Sequence, residues 1–126
     1  MLLNFTFLTT LLLASSLGWA KHEKSLTVTA TAYTSRVAET NSNPTLAAWG
    51  DTLKPGMKSI AVSRDLIALG LTHNQEVRIE GLAGTYRVLD KMNKRWTKKI
   101  DLYMGNDLYR AKQWGKRKVK IYWTNE

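Results

Sequence analysis

The chain has 126 residues, enough for one domain. It contains no cysteine, which excludes a disulfide scaffold and a lipid-modified thiol, so the fold must rest on its core alone. The 19 Lys and Arg against 10 Asp and Glu leave a net charge of +9, a field that attracts polyanions such as cell-wall polymers, anionic lipid head groups or nucleic acid without choosing among them.

Residues 1–20 carry no charged side chain; an apolar run through Leu11, Leu12 and Leu13 gives way to Ala14, Ser15, Ser16 and Gly18. This reads as a secretory signal cleaved after Ala20 and places the mature protein in the periplasm or outside the cell. An uncleaved anchor is the alternative, but the apolar stretch is shorter than the ~20 residues that cross a bilayer. Residues 21–25 are expected as a short solvated leader and 26–126 as the domain.

From Leu26 to Tyr33 apolar and polar residues alternate, which is the period of a strand. Residues 34–44 are polar and turn-rich, and Lys54-Pro55-Gly56 marks another turn. Ser59 to Val62 is a short apolar strand, after which Asp65 opens a helical turn that Gly70 ends. Glu76 to Glu80 and Thr85 to Asp90 form a hairpin around the turn at 81–84. Lys99 to Tyr103 is a strand, and Asn106 to Gln113 a short helix capped by Asn106 and ended by Gly115. Lys118 to Trp123 alternates as a last strand. About six short strands with little helix point to a small closed β-barrel, in which closure removes exposed strand edges.

Two carboxylates attract attention in this frame. Asp101 lies between Ile100 and Leu102, so if those two enter the core it faces outward with Lys99 and Tyr103. Asp90 ends the preceding strand, and the loop 91–98 lets the two acids approach. Glycosidic bond cleavage needs a proton on the leaving oxygen, and an Asp or Glu supplies it where its acid form is kept available; a second carboxylate nearby is one way to do so. The plainer reading is a turn residue at Asp90 and an exposed acid at Asp101. Only two histidines exist, His22 and His73, so neither a zinc site nor a Ser-His-Asp triad finds its ligands, and His73 reads as a solvated loop residue. Among the aromatics, Trp49, Trp114 and Trp123 read as packing. Trp96, flanked by Lys94, Arg95, Lys98 and Lys99, reads as wet, a flat face for sugar rings or, equally, for bases.

The motifs TATAYT at 29–34, SIAVSRDLIALGL at 59–71, VRIEGLAGTYRVLDKMNKR at 77–95, KIDLYMG at 99–105 and WGKRKVKIYW at 114–123 together resemble the three-aspartate domain family. That family is related to the catalytic domain of membrane-bound lytic transglycosylase A. The resemblance implies a mainly β, six-stranded double-psi β-barrel with one or two short helices. It implies action on the glycan strands of peptidoglycan as a monomer, with no cofactor, metal or nucleic acid. Asp101 would be the catalytic acid and base and Asp90 its companion; Tyr33, Asp65, Lys91, Arg95, Trp96, Lys99 and Tyr103 would bind the glycan. A non-catalytic wall-binding module on the same barrel is the alternative, and a basic binder of nucleic acid or anionic lipid is the third reading. The chain departs from the family in having Ser63 where the first aspartate stands, and KMNKRWTKK where the transglycosylase has a glycine-rich loop.

Overall fold

The computed structural model describes residues 22–36 and 45–125; the expected signal segment, most of the polar stretch after Arg36, and Glu126 lie outside them. Six strands are present among the described residues: β1 (Glu23–Tyr33), β2 (Ser59–Val62), β3 (Glu76–Ile79), β4 (Tyr86–Lys91), β5 (Lys99–Tyr103) and β6 (Arg117–Thr124). Two short helices accompany them, α1 (Arg64–Ile67) and α2 (Leu108–Trp114). The strands close into a barrel in the order β1-β5-β2-β4-β3-β6. The β1–β5 and β2–β4 pairs are parallel and the others antiparallel. The protein is therefore mainly β, as the alternating segments led one to expect, and each strand has two neighbours.

Period-two patterning fills the barrel. Val28 and Ala30 of β1, Ile60 and Val62 of β2, Val77 and Ile79 of β3, Ile100 and Leu102 of β5, and Val119 and Ile121 of β6 all enter one buried cluster. Branched aliphatic side chains suit this role, because they pack well on a pleated surface.

A second, smaller cluster lies outside the barrel wall. Ala47 and Leu53 come from the segment 45–57, and Leu89 and Tyr103 from β4 and β5; Tyr33 and Met57 flank them. The segment is a tight loop closed by an isolated Leu46–Thr52 bridge and by the Ala47 N–H donating to the Asp51 carbonyl at 2.8 Å. It returns against the end of β5 at Gly105, which has φ +60° and whose missing Cβ would meet Pro55 Cα at 3.0 Å.

Two element boundaries differ from the sequence reading. β1 starts at Glu23, ahead of the expected Leu26, because Glu23, Lys24 and Ser25 pair with Thr124, Trp123 and Tyr122. Part of the expected leader is thus strand, with exposed side chains and a backbone held by the β6 ladder. The cap of α2 is Asp107, whose carboxylate accepts the Arg110 N–H, while Asn106 instead accepts from Ser35 Oγ at 3.2 Å. Gly115 ends α2 as expected, its N–H donating to the Ala111 carbonyl.

Candidate functional site

Asp101 pairs in register with Thr31 of β1 on one side and with Ala61 of β2 on the other. Ala61 in turn pairs with Asp90 of β4. Thr31, Asp101, Ala61 and Asp90 thus form one rung across four strands, and at ~4.8 Å per strand the two aspartate Cα atoms lie about 10 Å apart. Ile100 and Leu102 point inward, so Asp101 stands on the outer face, where Thr31 Oγ1 donates to its Oδ1 at 2.9 Å.

Asp90 reaches that face through a bulge. The β2–β4 register shifts between Ile60 and Ala61: Ile60 pairs with Val88, but Ala61 pairs with Asp90, leaving Leu89 as the extra residue. A regular strand would turn Asp90 inward, as Val88 is turned. With the bulge, Leu89 enters the outer cluster and Asp90 lies under the segment 45–57. Its Oδ1 accepts the Ala48 N–H at 2.7 Å and the Lys91 N–H at 2.9 Å. Burial nevertheless lifts the Asp90 carboxyl above its ordinary range, the Asp51 charge adds to the rise, and the two amides oppose it.

Asp51 was missed in the sequence, and so was its partner. His73 lies in a turn, as the sequence reading has it, but is only half-exposed and has partners. Its Nε2 contacts Asp51 Oδ2 at 2.5 Å, and its ring stacks on Trp49 with centroids 5.0 Å apart. The Lys91 ammonium lies 5.4 Å from the centroid of the same Trp49 ring. The sequence reading made Asp90 the neighbour that would help Asp101 hold its proton; the carboxylate whose charge acts on Asp90 itself is Asp51. Nothing in WGD at 49–51 marks it, because only the fold-back of the loop brings it to β4.

Tyr33 lies in register with Tyr103, their rings 5.5 Å apart. The Tyr33 hydroxyl is buried with no hydrogen-bond partner among the described residues. Burial raises its proton affinity far above the usual phenol value, and the charges of Asp90, Asp101 and Tyr103 raise it further, which puts the phenol within electrostatic reach of both aspartates. Tyr103 is 4% exposed, and its hydroxyl meets Ser35 Oγ at 3.0 Å, so it forms a wall of the site.

The remaining expected binding residues gather at the other end of β5. The Lys98 N–H donates to Asp65 Oδ2 at 2.9 Å, and the Lys99 N–H to Ser63 Oγ at 2.9 Å. Desolvation acts to raise the Asp65 carboxyl, but hydrogen bonds from the Ser63 hydroxyl and from backbone amides outweigh it and hold Asp65 below its ordinary range. Ser63 is fully buried and ties β2 to the start of β5. Asp65 is thus committed to the loop that launches β5. Trp96 is exposed, as expected, and its ring is attended by the Lys99 ammonium at 3.7 Å and the Arg95 guanidinium at 4.8 Å.

The structure therefore brings Asp90, Asp101, Tyr33 and Tyr103 together at one end of an outer face, with Lys91 beside Trp49 and with Lys99, Trp96 and Arg95 further along. A separate groove of about 520 Å³, lined by Glu23, Glu76, Arg78, Arg87 and Tyr122 among others, lies over the two strands outside the rung. Among the described residues no three of His, Cys, Asp and Glu gather as a metal centre would need. In sequence, the chain matches no family model and no curated protein.

Proposed function

We propose that this chain is an exported, peptidoglycan-active enzyme of the lytic transglycosylase type, built on a three-aspartate domain with double-psi connections. The observation that carries the reading is the rung that sets Asp101 and Asp90 on the same outer face, either side of Ala61, with the unpartnered Tyr33 phenol in reach of both.

In this reading the glycan crosses the outer face of β5 beside the acid rung and continues over β1 toward β6. Asp101 donates its proton to the oxygen bridging N-acetylmuramic acid and N-acetylglucosamine, and the anomeric C–O bond breaks. The muramoyl 6-hydroxyl then bonds to the anomeric carbon, and its proton returns to Asp101, giving a 1,6-anhydro end without water. One carboxyl serves as acid and then as base, and no cofactor is called on. Asp90 orients and tunes the site through its charge. The Tyr33 phenol, buried and neutral, packs behind the two acids and keeps their surroundings dry. Trp96, with Arg95 and Lys99, offers a stacking face, while Asp65 and Tyr103 shape the path.

The test is incubation of the purified protein with sacculi, followed by mass spectrometry of the released fragments. Anhydromuropeptides from the wild type and none from Asp101→Asn are expected. Equal turnover by that variant would remove Asp101 from the role. Sacculus binding with no product from the wild type would leave the wall-binding module as the function.

A further inference from the structure

Lys99 stands two residues before Asp101 on the same face of β5, about 7 Å along the strand. It pairs with Thr29 of β1, whose other neighbour is Lys118 of β6. Lys120 follows on that face of β6, paired with Thr27. Val28, Ala30, Val119 and Ile121, the residues between them, enter the barrel, so these lysines and threonines all stand outward. The result is a bank of ammonium groups that starts beside the catalytic rung and runs across β5, β1 and β6.

Charge pairing on the barrel is uneven. On β3 and β4 each arginine has its own glutamate: Arg78 with Glu23, and Arg87 with Glu76 at 3.6 Å. Along the bank no carboxylate of the described residues makes an ion pair with Lys99, Lys118 or Lys120. The nearby acids are spent on backbone: Glu80 accepts the Lys120 N–H at 2.9 Å, and Asp65 accepts the Lys98 N–H. Three ammonium groups without a carboxylate in ion-pair contact leave the bank net positive, and its field reaches about 8 Å at physiological salt, far enough to bridge adjacent rungs.

We propose that Lys99, Lys118 and Lys120 form a cationic bank along the glycan path that selects strands whose substituents carry free carboxylates over uncharged glycan. The inference rests on the glycan reading of the acid face and names its substrate class more closely. A bare N-acetylated sugar chain offers ammonium groups only hydroxyls and amides. A peptidoglycan strand presents a carboxylate-bearing peptide at each second sugar, and with about 5 Å per sugar ring these carboxylates pass lysines spaced at strand intervals. Three exposed ion pairs, each weak alone, together supply about a tenfold preference.

The experiment measures binding of soluble glycan strands to the Asp101→Asn protein, which holds them uncleaved. One sample is native, and in the other the carboxylates are converted to neutral methylamides. The native strands are expected to bind about tenfold more tightly. The added double change Lys118→Gln with Lys120→Gln, exposed and outside the acid rung, is expected to weaken native strands about fivefold and leave the methylamidated ones unchanged. Equal binding of the two samples, or equal loss on both in the double variant, would overturn the bank while leaving the glycan reading standing. No binding of either sample would overturn both. Duplex DNA bound as tightly as native strands would also overturn the assignment, in favour of a general polyanion surface.

Discussion

Asp90 and Asp101 pair in register with the same residue, Ala61, from opposite sides. Its small side chain, 5% exposed, is the floor between the two carboxylates. Ala61→Leu would raise that floor by three carbons into a packed surface. The expected cost is about 1–3 kcal/mol of stability, together with a loss of turnover well beyond the unfolded fraction when assayed far below the melting point. Full turnover in this variant would mean that the glycan does not lie between the two acids.

Tyr33 separates a structural from a functional reading of its own hydroxyl. A buried donor without a partner costs the fold about 1–3 kcal/mol, and deleting it is neutral or stabilising. Tyr33→Phe should therefore melt at or above the wild-type temperature with turnover little changed, because the hydroxyl is closed off from any ligand on the outer face. A lower melting temperature would show that the hydroxyl serves the fold instead.

The Asp90 carboxyl is raised by burial, and the sign of its effect on stability follows. Below the ordinary carboxyl range, near pH 4, the acid is protonated in both folded and unfolded chains and costs nothing. As pH rises from the unfolded value through the folded one, the native state alone resists ionisation, and the penalty then stays constant. Asp90→Asn, which keeps an oxygen for the Ala48 and Lys91 amides, should melt higher than the wild type at neutral pH. The gap should close by about pH 3. A gap that stays the same across this range would contradict burial as the cause.

His73 holds the loop over Asp90 through Asp51 and Trp49. His73→Ala removes both the ring stack and the hydrogen bond, and should speed amide exchange at Ala48 and its neighbours while leaving the barrel strands protected. A stability loss of about 1–2 kcal/mol is expected. Unchanged exchange at Ala48 would show that the loop is fixed by its Leu46–Thr52 bridge alone.

What the sequence disclosed and what it hid have physical reasons. Strands such as 26–33 and 118–123 are legible because a barrel wall has one dry and one wet face, and alternation records this residue by residue. Asp101 is legible for the same reason, standing between Ile100 and Leu102. The bulge is not: Val88-Leu89 reads as one apolar run, and only the register shows that Val88 faces in and Leu89 out. The loop 45–53 has no alternation because it packs on the outside of the wall, so Asp51 and its bond to His73 left no trace. Asp65 was read toward ligand because a chain shows the acid but not the amide that it meets.

Asp65 supports the last prediction. Lys98 has φ +45°, a left-handed conformation that a side chain adopts at a cost of about 1–2 kcal/mol, and the Asp65 carboxylate holds its amide there. Because hydrogen bonds keep Asp65 below its ordinary range, its contribution is present above the unfolded carboxyl value and is lost as pH falls through the folded one. Asp65→Ala should cost about 1 kcal/mol at neutral pH, with the difference from wild type shrinking in acid. Asp65→Asn, which retains an acceptor, should recover most of the loss. Turnover should fall in Asp65→Ala because β5, and Asp101 with it, starts from this turn, and amide exchange at Lys98 and Lys99 should quicken in parallel. If turnover falls while exchange at Lys98 stays slow, Asp65 touches the glycan itself, as the sequence reading expects.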